Sequence, residues 1–176
     1  MYSEYLLIGE VLRPQGVRGQ VKVRPETDDP ARFLQLDTVY LKTGEDYHPV
    51  PITDTESRPD GFVYCVLDHA ADRDQAEKQR GLLLYVDRAH AVKLEEGQYF
   101  ISDLLGCQVR DQKGTVLGAI EDVLQPGAND VYQIKCADGR RMYLPVLPFV
   151  IMQVDVKGGF IVVDEDKLPE VAVFED

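Results

Sequence analysis

The stretch Gly9-Glu10-Val11-Leu12-Arg13-Pro14-Gln15-Gly16-Val17-Arg18-Gly19-Gln20-Val21-Lys22-Val23-Arg24 decides the architecture of the chain. An apolar run from Tyr5-Leu6-Leu7-Ile8 leads into it as a buried strand. Residues 14–19 are rich in turn formers. From Gln20 the pattern alternates cleanly, with Val21 and Val23 on one face and Lys22 and Arg24 on the other. The spacing of Gly9, Gly16 and Gly19 does not fit a dinucleotide fingerprint. A strand follows the loop, not the helix whose N-terminus would hold a pyrophosphate. The stretch reads as a hairpin-like barrel corner, with Gly16 and Gly19 as structural turn residues that supply positive φ or close backbone approach.

Working outward, the same β pattern fills most of the chain. Strands are expected over residues 38–42, 48–55, 62–67 and 82–86, with Thr43-Gly44-Glu45-Asp46 and Arg58-Pro59-Asp60-Gly61 as turns. Residues 30–36 suggest a short helical turn. Asp72 to Gly81 reads as a short helix, with Asp72 as N-cap and Gly81 as its stop. Residues 89–97 lose β alternation and form the expected linker. Beyond them come strands at 107–110, 115–124, 131–136, 141–144, 151–156 and 160–163, separated by turns. Each half thus holds five or six short strands, enough for a small barrel whose closure removes exposed edges. The fold class is all-β, as two small barrels spanning residues 1–88 and 98–168. Residues 169–176 form an acidic, peripheral tail.

Composition narrows the function. The chain has 176 residues, 44% of them hydrophobic, and a formal net charge of −12. No apolar run is long enough to span a membrane, and the first ten residues lack the basic flank of a signal peptide. A cytoplasmic protein with no membrane partner is expected. Cys65, Cys107 and Cys136 are an odd number, far apart, and read as buried free thiols. His48, His69 and His90 have no partner at metal-ligand spacing, so neither a metal nor another cofactor is expected. No Gly-x-Ser-x-Gly elbow or phosphate-binding loop occurs, so no catalytic residue is assigned. An RNA-processing enzyme built on carboxylates would need acids clustered in a cleft, which sequence alone does not show. A small-molecule-binding or membrane-associated adaptor is disfavoured by the lack of a span or basic amphipathic helix.

Three clusters stand out. From Val11 to Pro25 the basic residues Arg13, Arg18, Lys22 and Arg24 occur with no acid, an island of opposite sign that suits contact with RNA phosphate. Gln98-Tyr99-Phe100-Ile101-Ser102-Asp103 places adjacent aromatics at the entry to the second half. In an extended segment one of them faces outward as an interface anchor. Pro126-Gly127-Ala128-Asn129-Asp130-Val131-Tyr132 is a tight turn in which Gly127 is structural. Residues 1–95 carry 12 basic and 17 acidic groups, a net of −5. Residues 96–176 carry 7 and 14, a net of −7 in a shorter stretch. The second half is the more suited to a basic partner.

Taken in order, these motifs resemble the bacterial ribosome maturation factors called RimM. The resemblance rests on Gly9-Glu10-Val11 with residues 14–23, on Thr27-Asp28-Asp29-Pro30 with Phe33, and on residues 72–77 with Arg80-Gly81 and Leu84-Tyr85-Val86. It continues through Asp103-Leu104-Leu105-Gly106, Gly127-Ala128-Asn129-Asp130-Val131-Tyr132, Leu144-Pro145 and Pro148-Phe149-Val150. It implies an N-terminal barrel like those of translation factors and a C-terminal barrel of the PRC type. It also implies a monomeric, non-catalytic factor for head maturation and rRNA processing in the small ribosomal subunit. Such a factor binds the free subunit through a head protein, the nineteenth small-subunit protein. Tyr99, Phe100, Asp103, Asn129 and Asp130 are the expected contacts to that protein. Arg13, Arg18, Lys22 and Arg24 are the expected contacts to rRNA. Many members carry two tyrosines and a tryptophan where this chain has Gln98, Tyr99 and Phe100, and histidine is common where it has Gln15.

Overall fold

The computed structural model describes residues 2–175. The first unit, Glu4–Lys93, is built on six strands: β1 (Tyr5–Gln15), β2 (Gln20–Pro25), β3 (Thr38–Thr43), β4 (Asp46–Ser57), β5 (Val63–Leu67) and β6 (Leu83–Asp87). They hydrogen-bond in the order β1-β2-β5-β4-β3-β6. Because β6 also pairs with β1, the sheet closes into a barrel and no edge is left open. β1 pairs with both neighbours and carries two irregularities, between Leu7 and Gly9 and between Val11 and Arg13. An extra residue at such a point bends the strand and resets which side chains face inward. Ile8, Val11, Val21, Val23, Val39, Val63 and Leu84 fill the interior, joined by Phe33 from a 3-10 turn over Pro30–Gln35.

The expected helix after Asp72 is shorter than its pattern suggests. α1 spans Arg73–Glu77, and the Gln75 amide donates to the Asp72 carboxylate at 2.9 Å. The next amides, of Gln79 and Arg80, bond to carbonyls three residues back, which tightens the turn. The Gly81 amide then donates to the Val11 carbonyl, tying the chain back to the barrel. The expected linker is ordered at its start. Arg88–His90 forms a 3-10 turn capped by Asp87, and Arg32 Nη2 donates to the His90 carbonyl at 2.8 Å. The division between the units falls after Lys93.

The second unit begins with α2 (Ile101–Leu104). Seven strands follow: β7 (Gln108–Arg110), β8 (Val116–Leu124), β9 (Val131–Cys136), β10 (Arg141–Pro145), β11 (Ile151–Asp155), β12 (Phe160–Val163) and β13 (Val173–Glu175), with α3 (Leu168–Val171) before the last. The order is β11-β12-β7-β8-β9-β10-β13, and among the described residues only the β12–β7 pair is parallel. One core cluster collects Val109, Ile120, Tyr132, Ile134, Met142, Leu144, Ile161 and Val163, with Ile151 and Val154 packed against it. Leu168 closes the expected barrel span and is buried in that cluster, with Val171 and Ala172 packed against it. Within the segment expected to be a peripheral tail, β13 stays exposed and pairs with β10 through Tyr143↔Val173. Cys65 and Cys107 are buried, whereas Cys136 is only half-buried, and all three are free. Burial pushes the Cys65 thiol up to about 12, so it stays protonated and inert.

Asp111 is buried in the β7–β8 turn, where its carboxylate accepts the Lys113 and Thr115 amides, each at 2.8 Å. Burial alone would raise its pKa. The Thr115 amide and hydroxyl, with the Lys113 amide and charge, outweigh it and hold the carboxyl below its usual range. A group depressed in the folded state stabilises above its unfolded pKa, about 3.9, and that stability is lost as pH falls through the lower folded value. Asp111→Asn is therefore expected to flatten the acid limb of the stability curve below about pH 4, with little change in shape at neutral pH. Urea midpoints measured against pH check this, and an unchanged acid limb would sink it.

Candidate functional site

Two surfaces carry the residues singled out from sequence, one in each unit. The first is the tip of the β1–β2 hairpin. Gly16 and Gly19 have φ of +66° and +81°, as a tight turn requires. The hairpin is held from outside, since Arg73 Nη1 on α1 donates to the Gly16 carbonyl at 2.9 Å. Val17 at the tip is 73% exposed. Arg13 and Arg18 are exposed and make no side-chain hydrogen bond or ion pair among the described residues.

The other half of the basic island is engaged within the protein. Lys22 Nζ lies 3.7 Å from the Phe62 ring centroid and 3.3 Å from Asp60 Oδ2, with its side chain only 15% exposed. Asp60 also accepts the Tyr64 hydroxyl at 2.8 Å, and that bond, with Lys22, holds its carboxyl below the usual range despite partial desolvation. Arg24 pairs with Glu10, its register partner on β1, and with Glu26 at 3.1 Å. The acids that neutralise the island come from opposite strands and the following turn. A linear stretch free of acid does not reveal them. Lys22 and Arg24 are thus poorly placed to give charge to phosphate, and Arg13 and Arg18 remain.

The second surface surrounds the start of the second unit. Gln98-Tyr99-Phe100 is not a strand. The Phe100 carbonyl instead accepts the Asp103 and Leu104 amides and opens α2. Tyr99 is 36% exposed, whereas Phe100 is half-buried. Asp103 is only 2% exposed, and its carbonyl accepts the Cys107 thiol at 3.2 Å. Its carboxylate is inside the unit, so it belongs to the support of α2 and not to an outer face. Asn129 is exposed, and Gly127 turns the loop at φ +142°. The Asp130 carbonyl accepts the Val146 amide at 2.8 Å, which joins this loop to the one after β10.

Buried Tyr132 links these pieces. Burial pushes its hydroxyl up to about 12, and the charge of Asp130 and the nearby Tyr99 act in the same direction. Tyr99 and Asp130, 31 residues apart in sequence, thus both act electrostatically on the Tyr132 hydroxyl. Tyr132 was within the quoted turn motif but was not a candidate, because its position after Asp130 on β9 gives no sign of which loop lies beside it. Among the described residues no group of three or more His, Cys, Asp and Glu could hold a metal ion, and no helix is long and apolar enough to cross a membrane.

A closed six-stranded barrel with an arginine-bearing hairpin, followed by a seven-stranded unit with an aromatic and acidic loop cluster, defines a two-module β protein whose distinctive groups sit on loops. Residues 6–91 match the RimM N-terminal domain and residues 96–168 the PRC-barrel domain. The chain belongs to the RimM family. It is 39% identical over 162 residues to the ribosome maturation factor RimM of Caldanaerobacter subterraneus, covering 92% of this chain and 96% of that protein. It is 36% identical over 156 residues to the protein of the same name from Ruminiclostridium cellulolyticum, covering 89% and 92%. The solved N-terminal domain of RimM from Thermus thermophilus aligns at 26% identity over 53% of this chain and 100% of that chain, with a TM-score of 0.42.

Proposed function

We propose that this protein promotes assembly of the small ribosomal subunit by binding, without catalysing a reaction. Its second unit takes a basic head protein, the nineteenth of the small subunit, and its hairpin touches rRNA. The observation that carries this reading is that Tyr99, exposed in the second unit, and the charge of Asp130 both bear on the buried Tyr132 hydroxyl. An aromatic anchor beside an acid suits a basic protein surface, because the ring supplies contact area and the charge steers approach. Asn129 extends the same loop. The net charge of −7 on residues 96–176 acts in the same direction at longer range. Arg13 and Arg18 supply two cations for phosphate, enough to position a chain against RNA but not to bind free nucleic acid strongly.

This division of labour supports promotion of head maturation and, through it, rRNA processing in the cytoplasm, by a monomer. The purified protein is expected to co-sediment with free small subunits and to be absent from translating ribosomes. Gradient fractions blotted for the protein read this directly. Equal recovery in both pools would overturn the assembly reading.

A further inference from the structure

Beside the hairpin tip lies an open groove of about 440 Å³ on the outer face of the barrel. Its floor follows one line of register. Gln15 is opposite Gln20, Gln20 opposite Val66, and Val66 opposite Thr53. Partners across antiparallel strands share a face, so this row places two amides over an apolar floor. The far wall is an irregularity in β4 between Thr53 and Glu56, where Asp54 has φ of +47°. Aspartate and asparagine are the side-chain-bearing residues that adopt positive φ most readily, so Asp54 suits this bend.

Four of the polar groups lining the groove, Gln15, Arg18, Gln20 and Asp54, make no side-chain hydrogen bond or ion pair among the described residues, whereas Glu56, at its rim, is held by Arg58. Nearby charged groups on the same barrel are paired: Lys22 with Asp60, Arg58 with Glu56, and Arg24 with Glu10 and Glu26. Two amides, a guanidinium and a carboxylate thus face one open space without internal partners.

We infer that this groove receives an unpaired guanine nucleotide of RNA, with Asp54 reading the base and Arg18 holding the phosphate. The inference rests on the rRNA contact proposed above and names its chemistry. Single-stranded bases are recognised on their Watson–Crick edges once unstacked. Guanine alone offers two adjacent N–H donors on that edge, and a carboxylate accepts both. Gln15 and Gln20 can donate to its O6 and N7 or accept from its amine. Val66 gives an apolar surface for the ring face. Arg18 sits where the chain leaves the groove and contacts phosphate whatever the base.

The test uses the full-length protein and fluorescein-labelled oligouridine hexamers carrying one central guanosine, adenosine or cytidine, or none, read by fluorescence anisotropy at low salt. The guanosine hexamer is expected to bind about tenfold tighter than the others, the scale of a charge-assisted hydrogen-bond pair. Asp54→Asn tolerates the same positive φ, so it keeps the backbone while replacing one acceptor by a donor. It is expected to abolish the preference without abolishing binding. Gln20→Leu, at a strand position indifferent to φ, gives a second variant that should also reduce it. Arg18→Ala should weaken all four hexamers alike. Equal binding of all four, or a preference that survives Asp54→Asn and Gln20→Leu, would overturn the groove. If Arg18→Ala still weakens binding in that case, the RNA contact stands without base reading. Failure of every hexamer to bind overturns the groove, while the co-sedimentation with free small subunits decides the proposed function separately.

Discussion

Gly19→Ala is expected to destabilise the first unit by about 3 kcal/mol or more, far beyond the roughly 1 kcal/mol expected for Gly16→Ala. Both glycines have positive φ, so an alanine at either position carries the cost of a left-handed backbone. Only Gly19 also carries a steric conflict. A Cβ placed there would lie 1.9 Å from the Ala70 carbonyl oxygen and 2.5 Å from its carbon. These are backbone atoms of the segment leading to α1, and they cannot rotate aside as a side chain could. At Gly16 nothing lies within 4 Å of the same hypothetical atom. The pair therefore separates conformational cost from close packing. Urea denaturation followed by circular dichroism measures both variants against the parent. Similar losses for the two would show that the 16–19 hairpin is not pressed against the β5–α1 connection. The contact has a functional side, because it fixes the hairpin that carries Arg18, together with the bond from Arg73 to the Gly16 carbonyl.

Much of this was legible in sequence, for local reasons. The alternation of Val21 and Val23 against Lys22 and Arg24 set the faces of β2, and both valines are fully buried. Turn chemistry set the breaks at residues 16–19, 43–46 and 126–130 because glycine and asparagine or aspartate mark positive φ and tight turns. What was not legible depends on contacts between distant segments. Asp60 and Phe62 engage Lys22 only because β2 lies beside β5, and Glu10 meets Arg24 only through register. The interior position of Asp103 follows from α2 folding onto the sheet, which no period in a four-residue helix can announce. The β10–β13 pairing was not legible, because an exposed three-residue strand shows no alternation that would announce it. The unpartnered set of Gln15, Gln20 and Asp54 was equally invisible, because amides and carboxylates become noticeable only when their neighbours turn out to be paired.

Tyr99→Ala is expected to lower affinity for the head ribosomal protein by about thirtyfold or more, roughly 2 kcal/mol or above, on the scale of an interface hot spot. The size of the effect follows from geometry. Tyr99 is exposed enough to insert into a partner, and a tyrosine ring brings a large contact area at a low cost in side-chain freedom. Phe100→Ala should behave differently. Its ring is half-buried and its carbonyl starts α2, so truncation should lower the unfolding midpoint as well as affinity. Asp130→Asn removes an acid of the same unit, and it should slow association at low salt more than it speeds dissociation. Calorimetric titration of the purified head protein, with a thermal melt of each variant, separates the three. If Tyr99→Ala binds as the parent does while Phe100→Ala loses affinity at unchanged stability, the anchor is Phe100 and the exposed tyrosine is incidental. If neither changes affinity, partner recognition lies elsewhere on the second unit. Loss confined to Tyr99→Ala, with α2 and the core intact, would tie recognition to exposed Tyr99.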